Sequence, residues 1–338
     1  MRIGDFTLGL DQLGRYGVGL SRPENVLAFR DGTVFASSNR GSIVRIAPDG
    51  TQWEIGDLPG GQPTTMALEG DSALLVNNTA DGNIYRLHLD GRHELVLDSV
   101  GGAPLGSANY VFRDSRGRLW IAVATRRRPP HTEIHVESDG YIALMDESGT
   151  RIVADGLAWP NEVRLDADER FAYVPETFGR RLLRFTVAED GTLADRQAVG
   201  PDPLGDATFP DGIALDQDGN VWLAMISRNG LMIIEPDGSS HHVFEQPVPG
   251  ALEALRTAYA AGRVPRELMA ACAGPELRLL TSVGFGGPEL RTVFMGSLAM
   301  TELVSFTSPV PGLPLQHQHR KAAPPQPNDQ VSRARVPS

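Results

Sequence analysis

Cysteine is almost missing from this chain of 338 residues. Cys272 stands alone, so no internal disulfide, Cys-rich zinc module or Cys-ligated iron-sulfur cluster can be built. Lysine is as scarce: the single one is Lys321, in a Pro- and Gln-containing stretch, which leaves imine chemistry without a nucleophile in the part expected to fold. No apolar run approaches the roughly eighteen residues of a membrane helix, and the opening Met1-Arg-Ile-Gly-Asp-Phe-Thr lacks the charged and apolar regions of a secretory leader. A cytoplasmic address and no membrane partner are expected. A formal charge of -11 argues against a nucleic-acid partner, which selects clustered positive charge. Also missing are the serine-hydrolase elbow Gly-x-Ser-x-Gly, a phosphate-binding P-loop and a dinucleotide-binding Gly-x-Gly-x-x-Gly.

What is present is turn punctuation. Ten Asp-Gly pairs fall between residues 31 and 238, separating short alternating runs, and this is the pattern of many hairpins. The runs align on a repeat. Asn109 is followed by Asp114, Gly117 and Trp120, and Asp211 by Asp216, Gly219 and Trp222 at the same offsets; Glu24, Thr65 and Asn161 start related copies, and Ser282 a degenerate one. Each complete copy divides into about four strands, which predicts an all-β, six-bladed propeller spanning residues 1–315. The last copy has only three strands, so Phe6 to Leu10 is expected to supply the missing one and close the ring. Residues 316–338, rich in proline and poor in large apolar groups, are expected to form a disordered tail.

In a propeller the innermost strand of each blade lines the central channel, so equal repeat positions converge at one height. Two carboxylates, Glu24 and Asp211, and two amides, Asn109 and Asn161, would then meet at the channel mouth. Such a set of oxygen ligands suits one hard divalent cation. Asn and Asp also cap strand-entry turns, but recurrence of an oxygen-bearing group in four blades favours the metal.

These segments resemble the senescence marker protein/gluconolactonase/regucalcin-like family, with strictosidine synthase-like and phosphotriesterase-like relatives. The resemblance is carried by Arg22-Pro-Glu24, Ser107-Ala-Asn109, Trp159-Pro-Asn161-Glu-Val, Phe209-Pro-Asp211-Gly-Ile-Ala and Thr281-Ser-Val-Gly-Phe-Gly-Gly-Pro288. It implies a lactonase-like hydrolase in which Glu24, Asn161 and Asp211 hold the cation, Asn109 completes its shell or contacts substrate, and Asp211 serves as base. Calcium leads the implied metals, with magnesium, manganese, zinc or iron(II) as alternatives. Three motifs depart from the sugar-lactonase pattern: Ser107 replaces an arginine, Glu162 follows Asn161 where glycine is usual, and Asn25-Val26 follows Glu24 where Gly-Pro is usual. The substrate is therefore expected to differ from a free sugar lactone. A metal-dependent lyase, aldol-type or cyclisation enzyme and a non-catalytic binding propeller with a structural ion are the alternative readings.

Two insertions interrupt the β pattern. One, Arg126 to Asp139, carries three arginines and His131; the other, about 249–279, has helical spacing at Leu252, Leu255 and Tyr259 and at Leu268, Met269 and Cys272. The second predicts a helical hairpin, either a roof over the metal or the face of a homo-oligomer. Thr65, Ser107, Glu162, Glu176, Arg126, His131 and Tyr259 are the candidate contacts to a small-molecule substrate. Cys272 is expected to be a buried apolar residue.

Overall fold

A computed structural model describes residues 3–321, 323–325, 328 and 330–333. Six antiparallel sheets follow one another around a central channel, and in blades two to five the four strands pair in chain order from the channel outward. The third blade shows the plan: Ser107–Arg113, Leu119–Thr125, Gly140–Asp146 and Gly149–Leu157 pair in chain order. The repeat motif is the lock of the inner hairpin. In blade three Asp114 accepts the indole N–H of Trp120 at 2.9 Å and the backbone N–H groups of Arg116 and Arg118; Asp216 repeats this with Trp222, Asp218 and Asn220 in blade five. Both indoles are fully buried, so the carboxylate satisfies a donor that would otherwise be stranded in the core. Apolar clusters fill the wedges between neighbouring blades, as with Trp120, Leu144, Leu165 and Phe185 between blades three and four.

Closure differs from the expected route. The fourth strand of blade six is Gly14–Tyr16, paired with Leu303–Thr307, and Phe6 to Leu10 forms no strand. Phe6 instead packs on Trp222 and Phe306, with Leu8 and Leu10 beside the same cluster. Its apolar alternation records wedge packing, which sequence pattern alone does not separate from strand pairing.

The described part of the tail also corrects an expectation. Residues Gln316–His319 form a 3-10 turn in the channel mouth opposite the ring. Buried Gln318 donates to the carbonyls of Ala28, at 3.1 Å, and Phe285, at 2.6 Å. The His317 ring reaches the Ala28 carbonyl at 3.0 Å. Further on, Val331–Arg333 pairs with Gln52–Ile55 as a fifth strand of blade one. Composition suggested disorder because these residues are polar, yet their polar groups are spent on backbone partners. Residues 322, 326, 327, 329 and 334–338 of the expected tail lie outside the described residues.

The helical insertion forms as anticipated, with α1 at Pro249–Ala260 and α2 at Arg266–Ala271. Between them Arg263–Pro265 pairs antiparallel with Glu133–His135 from the blade-three insertion. No described helix is long and apolar enough to cross a membrane.

Candidate active site

The ring position of the repeat is a break in strand pairing. Inner-strand register shifts fall between Pro63 and Met66, Ala108 and Tyr110, Pro210 and Ile213, and Leu280 and Val283, bracketing Thr65, Asn109, Asp211 and Ser282. A bulge of this kind re-aims a side chain. In blades one and four the ring residue precedes the first strand. There Arg22-Pro-Glu24 and Trp159-Pro-Asn161 share one backbone device, with Arg22 at φ 51° and Trp159 at φ 60° in the left-handed region. Two different sequences thus turn the chain into the mouth by the same strained step.

Glu24, Asn109, Asn161 and Asp211 all line one cavity of about 710 Å³ at that mouth. Asn109 donates its amide N–H to the Asn161 side-chain oxygen at 3.0 Å and to the Asn161 carbonyl at 3.1 Å, and Asn161 donates in turn to Thr177 at 3.2 Å. Asp211 is buried, and burial, followed by the charges of Glu24 and Glu162, holds its carboxyl well above the ordinary carboxylate range; Arg22 and Asn161 oppose the shift. Next to Asp211, Gly212 cannot carry a side chain, since a Cβ there would stand 2.5 Å from a Glu162 oxygen and 2.6 Å from the Thr281 carbonyl. This is the physical content of the Pro-Asp-Gly motif.

The donor set fits a hard cation. Glu24 Oε2 is buried without a hydrogen-bond partner, even though the Arg22 guanidinium lies 2.9 Å away in an ion pair. Distance alone does not make that contact a hydrogen bond, because the N–H must also point at the acceptor. Two carboxylates and two amides on the wall of one cavity are the oxygen donors that such a cation takes. Among the described residues no group of three or more His, Cys, Asp and Glu side chains is clustered for a metal, so any cation here must draw on the two asparagines.

The other expected contacts separate. His131 lines the cavity and Ser107 supports it from behind: Ser107 Oγ lies 2.6 Å from His131 Nε2 and donates to the Arg127 carbonyl at 3.1 Å. A hydroxyl has one proton, so with Arg127 taking it, His131 Nε2–H is the donor to Ser107 and Nδ1 keeps its lone pair. Burial, then Arg266 and Arg127, lowers the His131 pKa.

Glu162 is buried and is not among the cavity-lining residues; it accepts from Asn25 at 3.2 Å and the Ile213 N–H at 3.1 Å, and burial pushes its carboxyl up to about 7. Thr65 does not line the cavity either. Its hydroxyl bridges Asn77 and the Val111 N–H, joining blades two and three.

Glu176, Arg126 and Tyr259 are not among the cavity-lining residues. Glu176 is fully buried, accepts from the Ala158 N–H at 2.8 Å and pairs with Arg181 and Arg196, so it anchors blade four. Arg126 turns outward to Asp155 at 2.7 Å and covers the Tyr141 ring. Tyr259 sits behind the cavity wall, its hydroxyl donating to the Phe178 carbonyl at 2.8 Å.

The roof is real but differently faced than expected. Leu252, Leu255, Tyr259 and Leu268 pack with Phe178 and Phe209 in the cluster beneath the helices. From α2, Arg266, Met269 and Ala270 line the cavity, facing Trp159, Phe178, Leu279 and Leu298. Arg22, Trp159 and Arg266 were not expected as site residues. Arg22 and Trp159 share the X-Pro step before a ring residue, a signal the sequence does carry; Arg266 has none. Cys272 is buried as expected, with burial pushing its thiol up to about 11.

Comparison with known proteins gives a consistent picture. The chain is 24% identical over 215 residues to a 6-deoxy-6-sulfogluconolactonase of Pseudomonas putida, covering 62% of each chain. It is 28% identical over 182 residues to lactonase drp35 of Staphylococcus saprophyticus, covering 52% of this chain and 54% of that one. The aligned region thus spans less than two thirds of either relative. In fold it is similar to a calcium-binding protein, regucalcin, of Agrobacterium tumefaciens, with a TM-score of 0.63 at 18% identity over 89% of this chain and 96% of that chain. Residues 74–253 match the SMP-30/Gluconolactonase/LRE-like region, more than half of the chain, and the protein belongs to that family.

Proposed function

We propose that this protein is a metal-dependent hydrolase of a lactone or related ester. The observation that carries the reading is the convergence of Glu24, Asp211, Asn109 and Asn161 on one cavity, with Glu24 Oε2 buried and without a hydrogen-bond partner. Glu24, Asn161 and Asp211 would hold one divalent cation, calcium first, with Asn109 at its side. When bound, such a cation polarises a carbonyl and makes a water more acidic.

The chain's own residues supply the rest. Asp211, a buried carboxylate on the cavity wall, is the group that would take a proton from the attacking water. Asn109 fixes the Asn161 amide, so the oxygen donors keep their places without substrate. Trp159, Phe178 and Met269 exclude water from one side of the cavity and offer an apolar surface to the substrate.

The test is hydrolysis of a panel of lactones and aryl esters by chelator-treated protein, with calcium, magnesium, manganese or zinc restored singly. Turnover that requires one of these cations and disappears in Asp211→Asn supports the reading. Turnover indifferent to chelation, or equal in Asp211→Asn at saturating metal, refutes it.

A further inference from the structure

The roof brings to the site a cation that no described side chain pairs with. Arg266, the first residue of α2, lines the cavity, and among the described residues it has no ion-pair partner and no side-chain hydrogen bond. It lies close enough to Arg22 and Glu24 for both charges to act on it, and burial lowers its pKa. Arg22 is already engaged with Glu24 at 2.9 Å. Other arginines nearby are spent elsewhere: Arg127 on Glu137 at 3.0 Å and Arg263 on Glu133 at 3.7 Å.

Counting formal charges on the cavity wall gives Glu24 and Asp211 against Arg22 and Arg266, so the wall is balanced before any cation enters. With His131 neutral, a divalent cation on the acidic pair would leave a surplus of two positive charges in a partly closed space. A neutral substrate would leave that surplus in place; an anionic one reduces it. The wall opposite is apolar, formed by Trp159, Phe178, Leu279 and Leu298, and Met269 extends the apolar surface along the roof beside Arg266. The guanidinium fork of arginine matches a carboxylate better than any other side chain.

We propose that the cavity selects an amphipathic organic anion: Arg266 receives a carboxylate of the substrate while the apolar portion lies against Trp159, Phe178 and Met269. This rests on the lactone or ester hydrolase reading and adds the substrate class, a carboxylate-bearing lactone or ester with an aryl or alkyl body. Arg266 is a specificity residue in this scheme and takes no part in bond breaking.

The test is binding, read from the fluorescence of Trp159 with a Trp159→Phe control, so it does not depend on turnover. The probes are 4-phenylbutyrate, 4-phenylbutanol and 4-phenylbutylamine, with saturating calcium and with chelator. The protein should prefer the carboxylate to the alcohol by about tenfold or more, the scale of one charge-assisted contact. Arg266→Gln should erase that preference, Arg266→Lys should restore part of it, and Arg266→Glu should shift preference to the amine. Near-ultraviolet circular dichroism reports whether each variant keeps its packing, and the Lys and Glu variants decide the matter if Gln alone misfolds. Equal binding of acid and alcohol by the unmodified protein, or an unchanged preference in Arg266→Gln and Arg266→Glu, overturns the inference. Metal-dependent hydrolysis of neutral esters would then still support the hydrolase reading; carboxylate preference without hydrolysis of any lactone or ester would count against that reading and leave standing only the selection of an organic anion by Arg266.

Discussion

Replacing Asp211 by Asn separates its role as a ligand from its role in packing. Asn keeps the size of the side chain and removes one of two carboxylates that face a common cavity, so in chelator the variant should unfold no earlier than the unmodified protein. Asp211 is buried with Glu24 and Glu162 acting on it, and removing one negative charge from that group relieves repulsion. The difference should come with metal. A ligand that binds only the folded state stabilises it by about 2.7 kcal/mol at a hundredfold excess over its dissociation constant. Unfolding entropy grows with chain length, so for a domain larger than those that shift by about 2 to 4 °C per kcal/mol this is a rise of roughly 4 °C. Calorimetry with chelator and then with calcium should show this rise in the unmodified protein and its loss in Asp211→Asn. The reasoning fails if both proteins gain equally from calcium, or if the variant in chelator is several kilocalories less stable, which would mark Asp211 as a packing residue.

Three further expectations concern the frame around the site. Trp222→Phe removes the donor to Asp216 and should cost about 1 to 3 kcal/mol in urea unfolding, with turnover per folded molecule unchanged. Leu255→Ala empties a buried position beneath α1 and should cost about 2 to 5 kcal/mol, detectable in the same assay. His317 is buried, and burial lowers its pKa from 6.5 to about 3, so the folded chain holds it neutral. Because the unfolded chain binds the proton more readily, this docking is fully stable above pH 6.5 and weakens as pH falls from there toward 3. Hydrogen exchange at Gln318 and Arg320 should therefore accelerate at pH 5 relative to pH 7.5, and an unchanged ratio after correction for intrinsic exchange would count against it.

The blade count and the convergence of Glu24, Asn109, Asn161 and Asp211 could be read from residue order because a repeated unit carries its geometry with it: what Asp114 and Trp120 do in one hairpin, Asp216 and Trp222 do in another. Legibility ended where contacts join segments distant in sequence. Glu176 is a candidate substrate contact by sequence, yet Arg181 and Arg196 claim it. Gly14–Tyr16 closes blade six although Phe6 to Leu10 has the stronger apolar alternation, since the choice between pairing and wedge packing is made by blades five and six. Gln318 falls in the stretch whose composition predicts disorder, and only the fold supplies the two carbonyls that it bonds. Arg266 is invisible for the same reason, its meaning lying in what the folded roof leaves unpaired.

The small sheet between Glu133–His135 and Arg263–Pro265 has a mechanical consequence. Each of the two insertions, taken alone, would be a flap hinged at its own blade. Joined by three register pairs they form a single span anchored in blade three and between blades five and six, so neither can lift without carrying the other or breaking the bridge. His131 and Met269 ride on opposite arms of that span. Entry to the ring is then a property of the span as a whole, and a substitution that loosens Ile134 or Val264, the central pair, should be felt at both arms together.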